Sequence, residues 1–113
     1  MAKTIFGKIA RGEIPCDKVY EDELALAFRD INAQAPTHIL VIPKEEIEDI
    51  SKVPEGSGLL EHLFTVATKL AKDEGIEESG YRLVVNKGPH GGQSVDHLHI
   101  HLLGGRQMLW PPG

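Results

Sequence analysis

His97-Leu98-His99-Ile100-His101-Leu102-Leu103 is the stretch on which the reading of this chain turns. Histidine and aliphatic residues alternate along it. Successive side chains of a β-strand point to opposite faces. His97, His99 and His101 therefore share one face, while Leu98, Ile100 and Leu102 share the other and point into a core. A strand rises ~3.3 Å per residue, which spaces neighbouring imidazoles roughly 6.6 Å apart at Cα. Three readings compete for such a row. One is a solvated face. The second is a metal site: zinc holds nitrogens at ~2.0–2.1 Å. Two histidines at i, i+2 can converge on one ion, but the first and third lie about 13 Å apart at Cα and do not both join. The ion would need further ligands, and His38 is the obvious extra donor. The third is nucleophilic and acid–base catalysis. Imidazole titrates near ~6.5, so at neutral pH it can present a lone pair while a neighbour holds its other nitrogen as a donor.

The loop just upstream, Lys87-Gly88-Pro89-His90-Gly91-Gly92-Gln93-Ser94, is rich in glycine. Glycine permits positive φ and close backbone approach, and successive N–H groups can form a nest for an anion. Ser94 adds a hydroxyl, and Asn86 adds an amide at the end of the preceding strand. The chain has no Walker A pattern, and the loop is not a GxGxxG opening a helix. On its own it reads as an ordinary loop. Next to three alternating histidines it reads as a phosphate pocket facing an imidazole nucleophile.

Outward from this segment, turn signals divide the chain into short elements. Thr4 caps a first helix carrying Ile5, Phe6 and Ile9. Lys18–Glu21 and Leu24–Phe28 read as strands joined by an acidic turn. His38–Ile42 is a β-branched strand stopped by Pro43. A helical turn is expected near Glu45–Ile50. Leu59, Leu60, Leu63, Phe64, Ala67, Leu70 and Ala71 recur at helical spacing, predicting a helix over Ser57–Asp73 with Ser57 as N-cap and Gly75 as stop. His62 falls on its polar side and reads as solvated. Tyr81–Asn86 and His97–Leu103 complete five strands. Hairpin-joined strands with segregated helices predict α+β architecture with a mostly antiparallel sheet, one long helix and one short one.

Composition bounds the function. The 113 residues suit one domain, expected over 1–113 with a tail from 104 to 113. A net charge of −5 argues against nucleic-acid backbone binding. No apolar run reaches the ~18–20 residues needed to span a bilayer. Residues Met1–Lys8 hold no signal-like apolar stretch. The single cysteine, Cys16, has no internal disulfide partner, and a reducing, cytoplasmic compartment is expected. Asp96, His90 and Cys16 receive no role.

The alternating triad resembles the signature of the histidine triad superfamily. Thr4-Ile5-Phe6-Gly7-Lys8-Ile9, Phe28-Arg29-Asp30-Ile31, Gln34-Ala35-Pro36-Thr37-His38, Leu40-Val41-Ile42-Pro43-Lys44 and Gly91-Gly92-Gln93-Ser94 extend the likeness over nearly the whole chain. The tail, Gly104-Gly105-Arg106-Gln107-Met108 followed by Trp110-Pro111-Pro112-Gly113, is similar to the Hint branch rather than to the diadenosine polyphosphate hydrolases or uridylyltransferases. The resemblance implies a five-stranded HIT-like fold, with the sheets of two subunits joined in a homodimer and the tail reaching the partner's site. It implies purine nucleoside phosphoramidase activity without metal or cofactor. By that likeness His99 is the nucleophile. His101 and Ser94 contact the phosphate or protonate the leaving amine, and His97 and His38 support the ring positions. Asn86, Gly92 and Gln93 bind the phosphate region, Asp30 accepts from the ribose hydroxyls, and Ile5, Phe6, Ile9, Phe28, Ile31 and Leu40 enclose the base. The alternatives are a nucleotide-binding regulator with little catalysis and a dinucleoside polyphosphate hydrolase.

Overall fold

Alternation in the sequence becomes two-sidedness in the sheet. The structure, a computed structural model, describes residues 3–113; Met1 and Ala2, the first residues of the expected domain, lie outside the described residues. Helix α1 (Ile5–Ala10) is followed by strands β1 (Lys18–Glu21), β2 (Ala25–Arg29) and β3 (Thr37–Pro43). A 3₁₀ turn (Ile50–Lys52) then leads to α2 (Leu59–Asp73), β4 (Tyr81–Val85), α3 (Gly88–Gly91) and β5 (Ile100–Gly104). The five strands lie in the order β1-β2-β3-β5-β4, and every pairing is antiparallel.

Strand β3 is central and buried along its whole length, so both of its faces must be apolar. Ile39 and Val41 join Ala25, Ala27, Ile100 and Leu102 in the core beneath α2, which contributes Leu63, Val66, Ala67, Leu70 and Ala71. Each buried leucine or valine of that stripe stabilises the packing by about 1.5–3 kcal/mol. On the other face Leu26, Phe28, Leu40 and Ile42 form a smaller cluster covered by Phe6, Ile9 and Ala10 of α1. Thr4 caps α1, its Oγ1 accepting from Gly7 N–H at 3.0 Å.

The five strands expected from the sequence are all present, and the sheet is antiparallel throughout. Several local expectations are corrected. The helical turn expected near Glu45–Ile50 is the 3₁₀ turn at Ile50–Lys52, placed there because Asp49 caps it by accepting from Ser51 N–H at 2.8 Å. The N-cap of α2 is Gly58, at φ +78, and Ser57 sits one residue further out, accepting from Leu59 N–H at 3.3 Å. The expected pair of helices becomes three, because the glycine-rich loop winds into α3. Gly104, expected to open the tail, is the last residue of β5, in register with Thr37 and Tyr81. His62 is not merely solvated: its Nε2 lies 2.7 Å from Asp22 Oδ2. Asp22 also accepts from Tyr20 Oη and from the backbone of Leu24 and Ala25, so this carboxylate ties the β1–β2 turn to α2.

Candidate active site

The histidine face of β5 meets the α1 face of the sheet. Leu40 pairs with His101, and Phe28 pairs with Leu40 across β2 and β3. The regular strand begins only at Ile100, so His97 and His99 stand on an irregular approach to it. Alternation nonetheless holds through this approach. Leu98 belongs to the α2 core with Ile100 and Leu102, and the His99 and His101 rings lie side by side, 4.9 Å between centroids.

Hydrogen bonds fix the tautomer of each ring. His99 Nδ1 lies 2.7 Å from the carbonyl oxygen of His97. A carbonyl only accepts, so Nδ1 carries the proton and Nε2 keeps a bare lone pair. His97 Nε2 donates in the same way to Pro43 O at 2.9 Å. His38 Nδ1 accepts from Gln34 N–H at 3.0 Å, so its proton sits on Nε2. That proton points at His101 Nδ1, 2.9 Å away. His101 is thereby left with an Nε2–H free to donate into the site. Bare acceptor on His99 and bare donor on His101 stand on neighbouring rings.

Burial keeps these rings neutral. It is the main force lowering the pKa of His38, His97 and His99, and it lowers His101 to about 4, with help from the nearby His99 and His38. A neutral imidazole at pH 7 is the form that can attack.

Asp30, at the start of the loop between β2 and β3, closes the set. Its Oδ1 accepts from Asn32 N–H at 2.8 Å, and its Oδ2 lies 3.4 Å from His38 Nε2. Asp30, His38 and His101 offer ligand atoms within 4.8 Å of one another. This set does not fit a metal ion as arranged. With Nδ1 accepting from Gln34, the His38 Nε2 must bear the proton, and a protonated nitrogen has no lone pair for a cation.

The apolar wall expected for a base is partly there. Phe28 and Leu40 are buried, and Phe6 packs edge-on against both Phe28 (5.5 Å) and His99 (5.0 Å). Ile9 joins them. Ile5 and Ile31 are exposed in the free chain. They stand at 51% and 103% at the rim, because the turn after Asp30 swings Ile31 outward.

The phosphate-side residues are corrected in detail. Gln93 braces its own loop: its amide donates to Glu48 O and Val95 O and accepts from Gly88 N–H. The backbone N–H groups of Gly92 and Gln93 are taken by Pro89 O and Gly88 O. Neither residue therefore offers a free donor to an anion; both shape the loop. Ser94 is exposed and Asn86 half-buried beneath α3. Sequence reasoning missed Gln34, whose contribution is a backbone N–H and carries no side-chain signal.

A cleft of about 460 Å³, lined by Tyr81, Arg82, Arg106 and Met108 among others, lies at the β4 edge under the tail rather than at the histidines. Chemistry, not volume, locates the site.

The HIT domain family model matches residues 11–108. The chain belongs to the HIT family. Among its relatives is the purine nucleoside phosphoramidase of Escherichia coli K12, 55% identical over 107 residues, 94% of this chain and 90% of that protein. The 14 kDa zinc-binding protein of Zea mays is 58% identical over 97% of this chain and 88% of its own length. A crystal structure of a HIT family hydrolase from Legionella pneumophila superposes with a TM-score of 0.95 at 56% identity, covering 98% of this HIT chain and all of that one.

Proposed function

We propose that this HIT protein is a purine nucleoside phosphoramidase. The observation that carries the reading is the His99 tautomer: Nδ1–H held on the His97 carbonyl, Nε2 bare, with the His101 donor alongside. His99 Nε2 attacks phosphorus, forming a P–N bond to the imidazole as the bond to the amine breaks. The amine takes a proton and leaves. Water then cleaves the nucleotidyl-imidazole bond, releasing the nucleoside monophosphate and restoring His99. Splitting one displacement into two lowers each barrier. His101 Nε2–H donates to the phosphoryl group or the leaving nitrogen, and an anionic phosphate beside it favours the protonated ring. His97 holds His99 and His38 holds His101. Asp30 accepts from the ribose hydroxyls. Ser94 and Asn86 face the phosphate, and Gly92 and Gln93 set the loop that carries Ser94. The base lies against Phe6, Ile9, Phe28 and Leu40, with Ile5 and Ile31 closing over it from the rim.

The relative named a purine nucleoside phosphoramidase, more than half identical to this chain, supports the substrate class. The assembly we propose is a homodimer. Strand β4 is an open edge, and Leu109 and Trp110 are exposed in a tail that Arg82 holds against that edge; apolar residues so placed need a surface to cover. Among the described residues no helix is long and apolar enough to cross a membrane, and the cytoplasm is the compartment we propose. We propose that residues 1–113 are a single domain, in keeping with the length of the chain.

The deciding experiment is hydrolysis of adenosine 5′-phosphoramidate by the wild type and by His99→Ala, with a chelator present. Turnover that persists under chelation and disappears in the variant is the expected result. Undiminished turnover by His99→Ala would overturn the assignment.

A further inference from the structure

One proton in this site has two acceptors. The His38 Nε2–H faces His101 Nδ1 at 2.9 Å and Asp30 Oδ2 at 3.4 Å. It cannot serve both well, since a hydrogen bond weakens steeply away from linearity. The rest of the constellation is pinned. Gln34 N–H holds His38 Nδ1, Asn32 N–H holds Asp30 Oδ1, and Asp30 N–H donates to His38 O at 3.0 Å. Arg106 fastens the same loop through Gln34 O. The freedom that remains is how strongly Asp30 Oδ2 competes with His101 for that proton, and that depends on what else contacts Asp30 Oδ2.

We infer that Asp30 is a positioning residue that couples the ribose to the phosphorus chemistry, acting through His38 on His101. The inference rests on the phosphoramidase reading and deepens it. In the free protein the His38 proton lies toward His101 Nδ1 at 2.9 Å, and the Asp30 carboxylate 3.4 Å away competes for it and weakens that bond. When the ribose hydroxyls donate to Oδ2, its lone pairs and charge are engaged. The His38 proton is then left to His101 Nδ1, and His101 is locked as the Nε2–H tautomer that donates into the reacting centre. No bond to carbon or phosphorus changes in this step; one proton settles on one of two acceptors. The consequence is that ribose contacts are expressed in kcat, since they improve an interaction used in the transition state.

The test compares adenosine 5′-phosphoramidate with its 2′,3′-dideoxy counterpart on the wild type and on Asp30→Asn. We expect the dideoxy substrate to lose about tenfold or more in kcat, the scale of weakened acid catalysis, and Asp30→Asn to abolish that discrimination in kcat. A change confined to KM would overturn the inference, since a purely binding contact lowers affinity alone. A second readout uses ¹⁵N imidazole spectra with adenosine monophosphate and with 2′,3′-dideoxyadenosine monophosphate. The His38 and His101 resonances should move further with the ribonucleotide. Equal shifts with the two nucleotides would refute the coupling, whether or not Asp30→Asn folds. Absence of turnover by the wild type on the ribo-substrate would instead count against the phosphoramidase reading, leaving the spectra to judge the coupling.

Discussion

Four histidines held neutral inside a folded chain make its stability depend on acid. His101 has a folded-state pKa of about 4 against ~6.5 when unfolded. Above pH 6.5 both states are neutral, and the ring contributes no pH dependence. As pH falls through 6.5 the unfolded chain takes up a proton that the folded chain refuses, so stability drops until the folded ring itself titrates near 4. For His101 alone this linkage amounts to about 2 kcal/mol at pH 5 and about 3 kcal/mol at pH 4. His38, His97 and His99 shift in the same direction and add to it. The paired carboxylates titrate lower: Glu21 is held at about 2 by hydrogen bonds from Lys18 and Lys44, so pH 5 isolates the imidazoles. Urea denaturation at pH 7.5 and pH 5.0, at one protein concentration, measures the drop. The comparison variant is His101→Asn, whose amide can still accept from His38. With a slope of about 1–3 kcal/mol per molar urea, the wild-type midpoint should fall about 1 M or more further than that of the variant. Equal midpoint falls in the two proteins, or a wild-type midpoint unmoved by pH, would refute the claim that burial of His101 sets its protonation.

Three further perturbations probe the supports of the site. Asp22→Ala removes an acceptor used by Tyr20, Leu24, Ala25 and His62 and should cost about 2 kcal/mol in denaturant unfolding, leaving kcat near wild type. Gly105→Ala puts a side chain at φ +89 and a Cβ only 2.8 Å from Pro36 Cβ; about 1–3 kcal/mol of stability should be lost, and KM should rise because Pro36 lies in the loop that carries Gln34 and leads into His38 of β3. Phe6→Ala strips the ring that packs on Phe28 and His99; steady-state kinetics should show about a tenfold higher KM from lost apolar contact and a smaller effect on kcat.

Much of this arrangement was legible in the sequence where side-chain pattern governs it. Apolar spacing marked α2, and the alternation of His97, His99 and His101 with aliphatics placed the histidines on one face. Both signals come from burial, which a sequence records directly. Elements governed by backbone or loop chemistry were not legible. Nothing in Gln34 announces that its N–H fixes the His38 tautomer. Nothing in Gln93 announces that its amide turns back to Glu48 and Val95. His62 read as solvated because its partner, Asp22, lies 40 residues away in sequence, beyond any periodicity. The resemblance alone puts Ile31 at the base, and nothing in its spacing announces that it stands exposed after the turn at Asp30.

The misplaced start of β5 follows from the chemistry of the site. An ideal strand running from His97 would direct its backbone groups to a neighbouring strand. Here they go elsewhere: the His97 carbonyl accepts from the His99 ring, and Leu98 N–H donates to Ile47 O at 2.7 Å. The His97 ring reaches Pro43 O. A regular ladder through His97 would bring a second donor to the carbonyl that fixes His99 and weaken the bond that keeps its Nε2 bare. The side-chain alternation survives because burial of Leu98 enforces it, while regular pairing begins only at Ile100, past the last group the site withdraws from the sheet. Departure from the ladder at His97 and Leu98 leaves the His97 carbonyl to the His99 ring, and substitutions that regularise this segment should cost activity before they cost stability.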